Sequence, residues 1–495
     1  MISKLKTFLF QNLTPRQTVT KNIFWLSVSQ VGSRIFRAII IIYAARVLGA
    51  TEYGLFAYVL GFAGIFAIFS DIGVNALLTR DTASHPEERT KYFSTSFWIK
   101  LFLLTISAIL VIFAASHFSR IEKAVYLFPL VALIVVFDGL REFAGSFLRG
   151  LEKMEWEAFI IITMNAVIAI AGFIFLNISP TSKSLIFSYI ASVGFAALLA
   201  LLIVKNQISK VFDFKRYFDK KLAFQIINSA WPIAFWNILG VLMLNIDVVM
   251  LGWWRTATEI GYYSIGQRFV QVLYTLPALL ASGIFPALSR FIKDKDQARE
   301  KNLNEKSLTF VFFLALPFVM GGIILARPII SMVFGSGYLP GVPAFQILMA
   351  SLLFIFPSVI LSNLVIAHNH QKKVVGFLIF GTITNIVLNS ILIPALGIVG
   401  AAIAYLASQM VYVAPIWLKV RQISDFHVLR YLKKIIAVAI IMGGLSFILN
   451  HFGTNVILNI VISAGFYLGT LYVLKERIWE EILILFKKFR EAPSQ

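Results

Sequence analysis

"LGATEYGLFAY", residues Leu48–Tyr58, and "TATEIGYYSIG", residues Thr256–Gly266, write one short phrase twice, with their ATE triplets 207 residues apart. What the repeat means depends on the chain around each copy. Hydrophobic residues make up 59% of the 495 and charged residues 14%, against roughly 45–50% and 25% in soluble domains. Apolar stretches of about 20 residues, enough to cross a hydrocarbon core ~30 Å thick as helices, recur from end to end. Fourteen can be placed, at 21–45, 54–78, 92–116, 123–147, 157–176, 185–204, 223–251, 260–288, 307–326, 343–367, 374–393, 398–418, 431–449 and 455–474. A β-barrel would need alternating strands of ~10 residues, whereas these runs are long and continuously apolar. The expected fold class is an all-α polytopic membrane protein.

The first 20 residues are polar and basic and show no small-residue cleavage site, so the first apolar segment reads as a retained span. Cysteine is absent, which excludes disulfides and Cys-ligated metals. The net charge of +20 invites a nucleic-acid reading, and topology removes it. With both termini in the cytoplasm, 33 of the 44 Lys and Arg fall in cytoplasmic segments. The outer loops receive only Arg46, Arg120, Lys123, Lys183, Arg255 and Arg327, and Arg34, Arg37, Lys100, Arg141 and Arg268 sit within spans. This is the positive-inside bias of a cytoplasmic-membrane protein. The basicity therefore reads as topology plus attraction to anionic membrane lipids, with no nucleic acid as partner. "MISKLKTFLF" and "RIWEEILILFKKFR" mix apolar and basic positions as interfacial helices do.

On this topology ATEYG lies in the outer hairpin between spans one and two, and ATEIG in that between spans seven and eight. Each copy occupies the equivalent hairpin of a six-helix half, so the halves form a parallel repeat about an axis along the membrane normal. The expected organisation is an N-terminal lobe at 1–204, a cytoplasmic linker at 205–222 and a C-terminal lobe at 223–420. Two further spans and an amphipathic tail fill 421–495. Gly54 and Gly261 suit tight outer turns, and Phe56, Tyr58, Tyr262 and Tyr263 suit the aromatic belt at the interface.

"RVLGATEYGLFAYVLGF", "FSDIGVNALLTRDTA", "NIDVVMLGWWRTATEIGYYSIGQRF", "FPALSR", "VFGSGYLPG" and "PALGIVGAAIAYLAS" resemble, in that order, the patterns of O-antigen-type polysaccharide flippases. These belong to the multidrug, oligosaccharidyl-lipid and polysaccharide exporter superfamily, and the similarity covers roughly residues 20 to 420. The resemblance implies two six-helix lobes around a central cavity that moves a lipid-linked oligosaccharide to the outer leaflet. It also implies a non-enzymatic transporter without a cofactor, working beside glycan assembly enzymes.

Ionisable side chains at mid-bilayer cost ~2.5–3.5 kcal/mol each on insertion scales and mark functional positions. Ser27, Gln30, Arg34 and Arg37 step by 3, 4 and 3, which places them on one stripe of span one. Arg suits phosphate through its fork of donors, and "SRIFR" resembles the first-helix arginines of the lipid II flippases. The alternative is that both arginines form structural ion pairs with Asp71 or Asp138. Asp138, Arg141 and Glu142 on span four, with Asp71, could pair locally, gate the inner side or bind a coupling proton or sodium ion. Asp71 could instead cap a helix. Asp247 and Arg268 could close the outer side as a cross-helix pair, and Lys100 could snorkel to the interface. Gln267 and Gln271 lie on one stripe with Tyr263 and Tyr274, and Asn385 and Asn389 lie on another with Thr382. Either stripe could meet sugar hydroxyls or serve as interhelical polar contacts.

Counting 207 residues on, Arg34 and Arg37 correspond to Val241 and Leu244, so the cationic stripe belongs to the first lobe alone. The second lobe carries span-interior prolines at 232, 277, 317 and 357, against Pro129 in the first. A multidrug cation antiporter of the same superfamily would, by the resemblance, need an acid on span one, which has none. A membrane glycosyltransferase or ligase would need acids or His in a sizeable outer loop, and Arg327–Gly341 holds neither. His368 and His370 fall at an inner loop, and no acidic partner for them is visible in the sequence, so no metal site is expected.

Overall fold

The computed structural model describes residues 10, 12–207, 217–424 and 426–476. Apart from Phe10, both proposed interfacial segments lie outside the described residues, as does the middle of the 205–222 linker. Among the described residues all regular structure is helical. Twelve helices among the described residues are long and apolar enough to cross a membrane. One of them, Gln17–Ser70, has 54 residues, about 80 Å at 1.5 Å per residue, which is enough to cross twice. Phe128–Gly150 adds a 23-residue helix whose sequence holds Asp138, Arg141 and Glu142. Counting these two as well brings the total to about the expected fourteen, and the chain is a multi-pass helical membrane protein.

Two compact units divide it, Met1–Gly261 and Tyr262–Gln495. The first contains α1 (Pro15–Ala67), α2 (Val74–Ser84), α3 (Arg89–Ile109), α4 (Phe128–Gly150), α5 (Met154–Ile178), α6 (Ser182–Gln207) and α7 (Lys220–Trp254). Helix α8 (Ala257–Leu273) straddles the boundary. The second unit continues with α9 (Thr275–Lys293), α10 (Gln297–Ile324), α11 (Val342–Ala350), α12 (Leu352–Ala367), α13 (Gln371–Leu396), α14 (Ile398–Ile423), α15 (Leu429–His451) and α16 (Val456–Val473).

The repeated phrase is built differently from the expected turns. Gly54 and Gly261 lie inside α1 and α8, and the reversal in the first copy is made by Gly49, at φ 68° and ψ 176°. A left-handed φ of this kind suits a residue without Cβ. Thr256, the position equivalent to Gly49, starts α8 with a capping box. Its N–H donates to Glu259 Oε2 at 3.2 Å, and the Glu259 N–H donates to Thr256 Oγ1 at 3.3 Å. In the first copy the matching acid, Glu52, accepts from the N–H of Ser182 at 2.8 Å and so caps α6.

What Gly54 and Gly261 supply is close approach. A Cβ on Gly54 would stand 1.8 Å from the carbonyl oxygen of Ala257, and one on Gly261 would stand 2.0 Å from that of Ala50. The two ATE copies thus cross backbone to backbone, each glycine against the other copy's alanine. The hydroxyls of Thr51 and Thr258 share a hydrogen bond at the crossing, 2.8 Å long. Phe56, Tyr58 and Tyr263 are buried in protein here, at 4%, 0% and 0% exposure, and so do not form an interfacial belt.

Span two is also shorter than its hydropathy suggested. Its helix ends at Ser70, Gly73 takes φ 95°, and α2 starts at Val74. Asp71 Oδ1 accepts from the Asn75 N–H at 3.1 Å, a side-chain cap that competes with continuing the helix. Apolar runs cannot reveal this, because Ile72 and Val74 keep the stretch hydrophobic across the break.

In the second unit, Pro277 follows a break at Tyr274, Pro357 follows one at Ser351, and Pro317 lies within α10. Pro286, Pro394 and Pro415 are further helix-internal prolines. Pro129 opens α4, where a missing N–H costs nothing, and does not interrupt it. Pro232 falls in α7, and its side chain is outside the described set. Helix α16 is fixed to α10 by the Tyr467 hydroxyl, which donates to the Phe313 carbonyl at 2.9 Å. Asn459 ties α16 to α15 by accepting from Ser446 Oγ at 3.0 Å and donating to the Ser446 carbonyl at 2.9 Å.

Candidate substrate-binding and charge-pairing sites

On α1, Gln30 and Arg37 are exposed and Ser27 and Arg34 half-buried. Arg34 Nη2 donates to Gln30 Oε1 at 3.4 Å, so the stripe is joined along the helix. Among the described residues neither Arg34 nor Arg37 has an acidic partner. Asp138 pairs with Arg141 instead, and Asp71 accepts from the Asn75 N–H. Two cations one turn apart repel each other, and an anion between them would relieve that repulsion.

A second group forms where α3, α4 and the helix break at Asp71 meet. Arg141 Nε donates to Asp138 Oδ1 at 2.7 Å, and its Nη2 to Glu142 Oε1 at 3.3 Å. The carboxylate side chains are 41% and 53% exposed against 10% for the arginine, so the acids face outward from a buried cation. Behind them lies Lys100, which is fully buried, and its Nζ has no hydrogen-bond partner among the described residues. The charges acting on it are those of Asp71, Glu142, Asp138 and Arg141. Gly139 permits this arrangement: a Cβ there would meet Leu104 Cδ2 at 2.4 Å and Lys100 Cε at 3.6 Å. The expectation that Lys100 snorkels is therefore corrected. A lysine near the end of an apolar run reads as interfacial until its neighbours are known.

Asp247 is completely buried on α7. In the second unit, Arg268 Nη1 donates to Gln271 Oε1 at 3.2 Å, and the hydroxyls of Tyr274 and Tyr405 lie 2.6 Å apart. Gln267 and Tyr263 are buried. Thr382, Asn385 and Asn389 are also buried, with Asn389 Nδ2 donating to Asn385 Oδ1 at 3.2 Å. His368 does have an acidic partner, contrary to expectation: its Nε2 lies 2.9 Å from Glu300 Oε1. The pair joins residues 68 apart, a separation no local pattern discloses. No cluster of three or more His, Cys, Asp or Glu suited to a metal occurs among the described residues.

At the end of the first unit that bears Arg89 and Lys91, Lys91 Nζ pairs with Asp219 Oδ2 at 2.9 Å. Asp219 Oδ1 caps α7, accepting from the N–H groups of Lys221 at 2.8 Å and Leu222 at 3.0 Å. The Lys91 ammonium and the Leu222 N–H hold the Asp219 carboxyl below its ordinary range, and Asp219 in turn raises Lys91. Beside this clasp, Leu222 and Ile226 of α7 pack on Val74, Leu77, Ile99 and Leu103.

Chains of this build are known. The chain superposes, over 93% of its length, on all of the lipid II flippase MurJ in an inward closed conformation, with TM-score 0.75 and 20% identity. It covers 98% of an inward-facing MATE family transporter of the MOP superfamily with TM-score 0.66 and 14% identity. The chain therefore shares the fold of these two transporters. Residues 19–292, more than half of the sequence, match the model for "Polysaccharide biosynthesis protein", and the chain belongs to that family. Residues 232–391 also match the MatE model. A probable low-salt glycan biosynthesis flippase of Haloferax volcanii is 24% identical over 77% of this chain and 78% of its own. A putative O-antigen transporter of Shigella flexneri is 28% identical over 60% of this chain and 72% of its own.

Proposed function

We propose that this protein is a flippase that moves a lipid-linked oligosaccharide, joined through a polyisoprenyl phosphate or diphosphate, from the cytoplasmic to the outer leaflet of the cell membrane by alternating access. The observation that carries this reading is the Arg34 and Arg37 stripe, two guanidinium groups within a span that have no acid beside them among the described residues. Guanidinium groups recognise phosphate oxygens through paired N–H donors. A lipid-linked glycan brings its phosphate to membrane depth while its sugar stays in a wet space. Family membership and relatives named as flippases and O-antigen transporters support the same substrate class.

On this reading Ser27 and Gln30 extend the phosphate site, and Gln267 and Gln271 offer donors and acceptors for sugar. The complete burial of Asn385 and Asn389 favours an interhelical role for them. Asp71, Asp138, Arg141 and Glu142, now with Lys100, form the group through which a proton could drive the cycle. Because an ammonium already stands among the acids, a proton suits the group better than sodium. Both termini and the Lys91–Asp219 end are cytoplasmic in this scheme.

The test is depletion of the protein in its own host. Lipid-linked oligosaccharide should accumulate in the cytoplasmic leaflet and be cleared by re-expression, whereas Arg34→Ala, inserted at normal levels, should fail to clear it. The MatE match supports one competing reading, a multidrug antiporter. Unchanged leaflet distribution together with drug sensitivity on depletion would favour that reading.

A further inference from the structure

At the end of the second unit where α14 stops and α15 starts, a cavity of about 450 Å³ opens beneath a short loop. The loop's described residues are engaged on both sides. Phe426 is buried and meets the ring of Trp417 edge-on, with centroids 5.3 Å apart. The His427 N–H donates to Glu305 Oε1 at 2.9 Å, and Asn304 Nδ2 reaches Ser424 Oγ at 3.5 Å. Glu305, the one acid among the cavity's described lining residues, is thus buried and engaged with the backbone. Around it stand three permanent cations, Lys301 from α10, Arg421 from the last turn of α14 and Arg430 from the first turn of α15, together with Tyr431. Arg421 and Arg430 are exposed and Lys301 is half-buried.

Among the described lining residues the Lys and Arg outnumber the acid by two, and the cavity sits where three spanning helices end. That is the depth of a headgroup. Basic pockets between spanning helices suit phosphate headgroups, and Trp and Tyr suit the interface on which those headgroups lie. We infer that this cavity binds the phosphate of an anionic phospholipid headgroup, with Arg421 and Arg430 as its principal donors and Lys301 as a third positive charge. Since the ligand would bridge α10, α14 and α15, its binding fastens the two last helices to the rest of the unit. The inference does not depend on what the protein transports.

The experiment uses the full chain purified in neutral detergent, with phosphatidylglycerol or phosphatidylcholine added in mixed micelles, read by native mass spectrometry and by thermal unfolding. Phosphatidylglycerol should remain bound and raise the unfolding temperature, while phosphatidylcholine should do neither. The double variant Arg421→Gln/Arg430→Gln should weaken phosphatidylglycerol binding by about tenfold or more. The double variant Arg290→Gln/Lys293→Gln removes the same charge from exposed positions outside the cavity, and should bind as the parent does. Equal binding by parent and Arg421→Gln/Arg430→Gln overturns the proposal, as does equal loss in the control variant. Protection by inorganic phosphate alone at millimolar concentration, with displacement of the lipid, would assign the cavity to free phosphate instead. A chain that binds phosphatidylglycerol in this way yet leaves lipid-linked oligosaccharide undisturbed on depletion would separate this site from the flippase reading.

Discussion

At the scale of single residues, the charged groups inside the spans divide by partner. Arg141 is neutralised by acids within one helical turn, whereas among the described residues Arg34 has only the amide oxygen of Gln30. Arg34→Ala and Arg37→Ala should therefore each lower glycolipid translocation by about tenfold or more, equivalent to ~1.4 kcal/mol, at unchanged expression. Arg34→Lys should recover part of it, because charge is kept while the bidentate fork is lost. Leaflet-resolved glycolipid assays measure both. Lys100 presents the opposite case. Burying a charge that has no hydrogen-bonded partner is costly, and Lys100 Nζ has none among the described residues, so an apolar side chain of similar length removes that cost. Lys100→Met should accordingly unfold no earlier on heating than the parent, yet translocate more slowly and with an altered pH profile. Early unfolding of Lys100→Met would show that the ammonium is a structural counter-charge. The arginine stripe was legible because a 3-4-3 spacing states a helical face directly. The burial of Lys100 and the His368–Glu300 pair were not, since each is created by segments far apart in the chain.

At the scale of elements, the twofold phrase was legible as a repeat but misread as a turn. Gly appears at turns and at close helix contacts for the same reason, the missing Cβ, and only the φ angle and the neighbours separate the two. The structure gives the turn to Gly49 and the contact to Gly54 and Gly261. Substitutions should follow that division. Gly54→Ala and Gly261→Ala each drive a methyl group into a backbone carbonyl and should destabilise by about 1–3 kcal/mol, the range for overpacking. Thr258→Ala, which removes one hydroxyl from the same crossing, should cost only ~0.6 kcal/mol. Thermal unfolding in detergent ranks the three, and a smaller loss for Gly54→Ala than for Thr258→Ala would contradict the crossing. The hydropathy runs located the spans well for a simple reason: lipid demands about 20 apolar residues wherever a helix crosses. They failed at Asp71–Gly73, where a side-chain cap ends a helix without any change in hydrophobicity.

At the scale of the molecule, the Lys91–Asp219 clasp sets a pH window. The carboxyl is depressed, so its contribution is present above the ordinary Asp value, about 4, and is lost as pH falls through the lowered one. The ammonium is raised, so its contribution is present below about 10 and is lost as pH rises through the raised value. The clasp should hold throughout the range between. The sequence contains no cysteine, so Thr90→Cys with Lys220→Cys gives a clean spin-labelled pair. Its distance should stay constant from about pH 5 to 9 and lengthen or broaden in an Asp219→Asn background. Lengthening already at pH 6 in the parent would refute the window.

The crossing of the ATE copies then acquires a mechanical meaning. Helix α7 runs 35 residues from its clasped start to its end just before Thr256, a rod of roughly 50 Å at 1.5 Å per residue. Near one end, peptide backbones touch and cannot slide without collision. At the other, the rod is held by a few apolar side chains and a half-buried ion pair. Gly54 and Gly261 belong to α1 and α8, so they brace the crossing end of the rod from its neighbours. In the proposed alternating-access cycle, a swing of about 10° about the braced end would carry the clasped tip roughly 9 Å over that length. On that scheme the end fastened by side chains is the one that would open.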